Sequence, residues 1–203
     1  MPRVKVCGIT SPGDAEAAAR AGADALGFIF YEKSPRRVTP EAAAAMTAGL
    51  GPFVTTVGVF VDEAVEEVNR TVEVAGLDRV QLHGREGPDY CAAVDAPVIK
   101  AFRVGPGWDG SVLDDYDVTA FLLDTYRPGA PGGTGESFDW RLAVEAAGRH
   151  TVILAGGLTC ENVARAVRTV RPYAVDVCSG VESAPGVKDR RKLAKFIETV
   201  RTL

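Results

Sequence analysis

The chain has 203 residues, 46% of them hydrophobic, and a formal net charge of −4. That length suits one sizeable core, read as a single domain over residues 1–203. The charge is not gathered into a basic block, and no stretch approaches eighteen apolar residues, so neither nucleic acid nor a membrane is an expected partner. The opening MPRVKVCGIT has basic residues with no apolar segment behind them, which points to a cytoplasmic protein.

In chain order the first apolar run is VKVCGI at 4–9, followed by ALGFIF at 25–30. Thr39-Pro40-Glu41 then gives a cap, a proline for the first helical position and an acid for the first turn, predicting a helix through the alanines that follow. TTVGVF at 55–60 is the third run, and Asp62 is expected to open a helix whose Val65, Val68, Val72 and Ala75 share a face. RVQLH at 79–83 and VIKAF at 98–102 come next. After them GPGWDGSVLDDYD has too little periodicity for a regular helix, so a short or irregular element is expected there. AFLLD at 120–124, TVILAGG at 151–157 and AVDVCSG at 174–180 complete the set of strands. Helices are expected from Thr159 or Cys160, with Val163, Ala166, Val167 and Val170 inward, and from Asp189, with Leu193, Phe196, Ile197 and Val200 inward.

Eight apolar runs, most of them continuous rather than alternating, read as parallel strands covered by helices. Their starts recur at the spacing of one strand and one helix, which predicts an α/β fold of the TIM type, a closed (β/α)8 barrel. An open doubly wound sheet would carry a G-x-G-x-x-G turn after its first strand, and Cys7-Gly8-Ile9-Thr10 stands there instead.

In such a barrel the reactive side chains lie at the carboxyl ends of the strands. Cys7, His83 and Asp124 all end runs and so converge on one face. Gly156-Gly157 and Ser179-Gly180 end the last two runs and precede helices, where exposed backbone N–H groups suit a phosphate; as alternatives they only turn the chain. Asp124 is a candidate general acid or an ordinary strand-end cap, and Cys7 is a candidate thiolate base or a packed thiol. Arg36 and Arg37, in the loop after the second run, are candidates to clamp a carboxylate or are simply solvated. The four cysteines include no C-x-x-C pair, so neither a metal nor a disulfide framework is expected, and Cys91, Cys160 and Cys178 are read as core or surface thiols. The glycine-rich stretch 128–135 is a candidate cover for the bound substrate.

VKVCGIT, GADALGFIFYEKSPRRVTPEAA, VQLHG, LLDT, GGTGESFDW, LAGGLTCENV and AVDVCSGVESAPGVKD together resemble the phosphoribosylanthranilate isomerase family of tryptophan biosynthesis, nearly end to end. The resemblance implies an Amadori rearrangement without cofactor or metal, with Asp124 as the acid that opens the sugar ring and Cys7 as the base at C2. It also implies that Arg36, rather than Arg37, binds the anthranilate carboxylate, that His83 and Asp176 line the substrate, and that the two glycine pairs hold the phosphate. Glu136 is an unusual residue for its place in that pattern. The implied partners are a phosphorylated small molecule and neighbouring enzymes of the tryptophan pathway. Two alternatives stand beside this reading. One is the related isomerase of histidine biosynthesis, disfavoured because the two halves of the chain show no repeat; the other is a barrel that only binds a phosphorylated ligand.

Overall fold

The computed structural model describes residues 1–125 and 139–203. Eight parallel strands close into a barrel in sequence order: β1 Arg3–Cys7, β2 Ala25–Ile29, β3 Thr55–Phe60, β4 Arg79–Leu82, β5 Val98–Val104, β6 Ala120–Thr125, β7 Val152–Leu154 and β8 Ala174–Val177. The ring closes where β1 pairs with β8, Arg3 opposite Ala174 and Val6 opposite Val177. The helices α1 Pro12–Ala21, α2 Pro40–Thr47, α3 Val65–Ala75, α4 Pro88–Ala92, α5 Arg141–Arg149, α6 Val163–Val170 and α7 Arg190–Arg201 surround it. Between β5 and β6 the chain makes only a 3-10 turn, Gly110–Asp115, as its weak periodicity predicts.

The local signals hold where side chains complete the helix ends. Thr39 Oγ1 accepts from the Ala42 N–H at 3.2 Å and opens α2, and Asp189 accepts from the N–H groups of Arg191 and Lys192 at 2.9 and 3.1 Å and opens α7. Asp62 does not open α3, which begins three residues later behind Ala64. It takes a left-handed backbone (φ +50°) and accepts from the Arg85 N–H at 2.6 Å, so the carboxylate ties two loops together instead of capping a helix. Nor does α6 start at Thr159 or Cys160. Asn162 sits before it and accepts from the Thr159 N–H at 2.8 Å.

Strand alternation divides the apolar residues into two bodies. Val4, Val6, Leu26, Phe28, Val80 and their like face outward under the helices. A smaller cluster that includes Val57, Ile99, Ala101, Leu122, Ile153 and Ala174 fills the barrel interior. Following that inward series upward, Leu122 leads to Asp124 and Ala174 to Asp176, so period-two geometry aims both carboxylates over the core.

Lys100 is buried on β5. Its ammonium donates to Glu86 Oε2 at 2.6 Å, to the Gly84 carbonyl at 2.9 Å and to the Leu82 carbonyl at 3.3 Å. Glu86 in turn accepts from the N–H groups of Asp62 and Gly84, both at 2.9 Å. This pair ties the loops after β3 and β4 to β5, and His83 lies in the second of them.

A further two-stranded ribbon follows β8: β9 Glu182–Ala184 pairs antiparallel with β10 Val187–Lys188. The sequence reading missed it. Segments of three and two residues around Pro185-Gly186 are too short to show alternation.

Candidate active site

A cleft of about 170 Å³ opens at the carboxyl ends of the strands. Cys7, Arg36, His83, Asp124 and Asp176 all line it, so these five sequence candidates meet in one place. Gly156, Gly157, Ser179 and Gly180 do not line it, but their loops press together beside it. Gly180 has no room for a side chain, because a Cβ there would meet the backbone of Leu158 and Thr159, and Gly156, at φ +82°, packs against Asp124 and Thr125. Arg37 is not among the lining residues; it pairs loosely with Glu32 at 3.9 Å on the surface. The stretch 128–135 and Glu136 lie outside the described residues.

Asp124 is held at both oxygens. The Thr125 N–H donates to Oδ1 at 2.7 Å, and His83 Nε2 stands 3.3 Å from Oδ2. Gln81, two residues back on β4, brings its Nε2 to 2.9 Å from His83 Nδ1. Gln81 Nε2 and Asp124 Oδ2 thus stand at the two ring nitrogens and fix the orientation of the imidazole. His83 therefore orients the carboxyl group, a role that its position at a strand end did not reveal.

Cys7 sits on β1 above Lys5, both inward-facing and buried. Gly27 on β2 makes room for them: a Cβ there would lie 2.8 Å from Cys7 Sγ and 3.1 Å from Lys5 Nζ. Lys5 donates to Asp176 Oδ1 at 2.8 Å; burial works against its ammonium, but the charges of Asp176 and Cys7 outweigh burial and hold its pKa above the usual lysine value.

Cys178 is not the bystander the sequence suggested. It lines the cleft, and the neighbouring Cys178 thiol is the largest influence on Cys7, whose pKa is lowered to about 6. Burial opposes that shift and the Lys5 ammonium assists it. The same neighbour relation, reinforced by burial, pushes the Cys178 thiol up. Glu182 Oε1 lies 3.9 Å from Cys178 Sγ, so a second anion on Cys178 would face a carboxylate. Of the two thiols Cys7 is therefore the more acidic.

This arrangement sets a sign for the pH profile. With Cys7 serving as a base, activity is expected to be lost as pH falls through about 6. Cys178→Ala removes the main stabiliser of the thiolate, so the acid limb of kcat/KM is expected to move to higher pH by about one unit or more. Initial rates between pH 5 and 9 measure it, and an unmoved limb would show that Cys178 does not set the base.

The sequence profile of the family described as N-(5'-phosphoribosyl)anthranilate (PRA) isomerase matches residues 4–199. The chain belongs to this family. The N-(5'-phosphoribosyl)anthranilate isomerase of Geobacter sp. (strain M21) is 55% identical over 203 residues, spanning all of both chains. Among solved structures, the phosphoribosyl anthranilate isomerase of Thermus thermophilus is 47% identical with a TM-score of 0.89, covering 98% of each chain. A phosphoribosyl anthranilate isomerase in complex with reduced 1-(o-carboxyphenylamino)-1-deoxyribulose 5-phosphate is 39% identical with a TM-score of 0.86, covering all of both chains. The barrel of this PRA isomerase family member is thus that of its solved relatives.

Among the cleft and support residues that escaped the sequence reading are Lys5, Gln81, Glu182 and Lys188. For the first two a signal existed, since each lies two residues before a strand-end candidate and so shares its face. For Glu182 and Lys188 there was none, because the ribbon that carries them was not foreseen.

Proposed function

We propose that the chain converts N-(5-phosphoribosyl)anthranilate to 1-(2-carboxyphenylamino)-1-deoxyribulose 5-phosphate by acid and base catalysis on Asp124 and Cys7. The observation that carries this is the placement of a buried low-pKa thiol and a fixed carboxyl group, from β1 and β6, in one cleft that Arg36 also lines. Protonated Asp124 gives its proton to the furanose ring oxygen, the C1–O bond breaks, and the ring opens to a Schiff base. The Cys7 thiolate takes the proton from C2, leaving an enolamine; C1 then takes a proton from the Cys7 thiol and the C2 hydroxyl gives its proton to Asp124, which yields the ketone and restores both residues. No redox partner is needed, since the two electrons of the C2–H bond remain in the substrate.

Arg36 binds the aromatic carboxylate and the loops around Gly156, Gly157, Ser179 and Gly180 bind the phosphate, which separates the two anions of the substrate across the mouth. Asp176, fixed by Lys5, faces the sugar. A barrel that only bound a phosphorylated ligand would have no use for both a thiolate and an oriented acid, and that counts against the binding-only reading. The cytoplasm is the proposed compartment, consistent with the lack of any helix among the described residues long and apolar enough to cross a membrane.

The test is direct. Freshly prepared phosphoribosylanthranilate loses its fluorescence as it rearranges, and the purified protein alone, with no metal or cofactor added, is expected to drive that loss to completion. A rate no faster than the spontaneous decay would overturn the assignment.

A further inference from the structure

Arg36 does not stand free in the cleft. Its Nε–H donates to Glu182 Oε1 at 2.8 Å and an Nη2–H to Glu182 Oε2 at 2.6 Å, a two-point pairing along one edge of the guanidinium. Burial pushes the Glu182 carboxyl up, but the hydrogen bonds from Arg36 and the charge of Lys188 outweigh it and hold its pKa below the usual carboxylate range. Glu182 is itself fixed by the ribbon: Lys188 Nζ donates to its Oε1 at 3.0 Å and the Gly186 N–H at 3.3 Å. Lys188 is wholly buried and also donates to the carbonyls of Cys7 and Cys178, at 2.6 and 3.2 Å.

We infer that Glu182 is a positioning residue that turns Arg36 into a directional receptor for the substrate's carboxylate. An arginine has five N–H donors, and Glu182 occupies two of them on the side edge. Of the three donors left, two lie at the guanidinium's end, where Nη1 and Nη2 each offer an N–H to a planar carboxylate in one orientation. The stem of Arg36 is guided too. It crosses Gly8, which lies at φ +71° and where a Cβ would stand 2.7 Å from Arg36 Cδ. Because Lys188 also grips the Cys7 carbonyl, receptor and base share one support, and the distance from the aromatic carboxylate to the reacting carbon is set by the ribbon.

This inference rests on the reading of Arg36 as the carboxylate-binding residue, and one set of measurements separates the two. Dissociation constants are measured for reduced 1-(o-carboxyphenylamino)-1-deoxyribulose 5-phosphate and for its counterpart lacking the carboxylate, using wild type, Glu182→Gln, Glu182→Asp and Arg36→Lys. The expected result is that both Glu182 variants weaken the carboxylated ligand by about tenfold and leave the other unchanged. Should the Gln variant not fold, the Asp variant, which keeps the charge beside Lys188 but falls short of the fork, gives the same comparison. A Glu182 residue that only stabilised the fold would weaken both ligands alike, and that outcome, or an unchanged preference, would overturn the inference. If Arg36→Lys leaves the preference intact, the reading of Arg36 falls. If Arg36→Lys abolishes it while the Glu182 variants do not, the positioning role alone falls.

Discussion

Cys7→Ala and Asp124→Asn are each expected to lower kcat by about a thousandfold, within the range that a positioned acid or base contributes. Cys7 is small and buried, and alanine leaves Lys5, Asp176 and Lys188 in place, so the loss reports the missing base rather than a rearranged cleft. Asparagine keeps the shape of Asp124 and the hydrogen bond from the Thr125 N–H, yet has no acidic proton to give the ring oxygen. The two losses differ in kind. With substrate deuterated at C2, Cys7→Ser is expected to show a primary isotope effect on kcat, because proton removal from carbon has become slow. Asp124→Asn is expected to show none, because ring opening then limits the rate. Equal isotope effects in the two variants would refute this division of labour, and full turnover by either would remove its residue from the mechanism.

The largest expected effect on stability is at Glu86. Lys100 and Glu86 are each 2% exposed at the side chain, and Glu86→Ala leaves an ammonium in the core with only carbonyl partners. Breaking a buried pair from one side costs about 3–5 kcal/mol, a large share of the stability of an ordinary domain. Replacing both members, Lys100→Met with Glu86→Leu, removes the stranded charge and is expected to recover most of that loss. The N–H groups of Asp62 and Gly84 would still lack their acceptor, so the recovery is expected to be partial. Denaturant midpoints of wild type and the two variants check this, and a single Glu86 variant as stable as wild type would disprove it.

Much of the barrel was legible because its strands are buried on both faces and announce themselves as apolar runs. Cys7, His83 and Asp124 were legible because the fold's geometry turns strand ends into a site. Asp62 misled because an acid ahead of an amphipathic stretch has the look of a cap, whereas its carboxylate is claimed by a loop distant in sequence. The status of Cys178 was hidden because alternation alone does not place a residue just past a strand end. Nothing in the local sequence marks Glu182. Its burial depends on Arg36, 146 positions earlier, and no local pattern encodes a partner so far away.

The bonds of Lys188 carry a last consequence, for how the protein comes into being. Its ammonium reaches the carbonyl of Cys7 across 181 positions, and its N–H reaches Asp14 across 174. During synthesis Cys7 emerges 181 positions ahead of Lys188 and waits, unsupported, until that residue has followed it. Such distant contacts are slow to form, since the loop must close before any of them rewards it. A nascent or truncated barrel therefore lacks the buried ammonium that ties its first strand to the ribbon, and the cleft is complete only with the last closure.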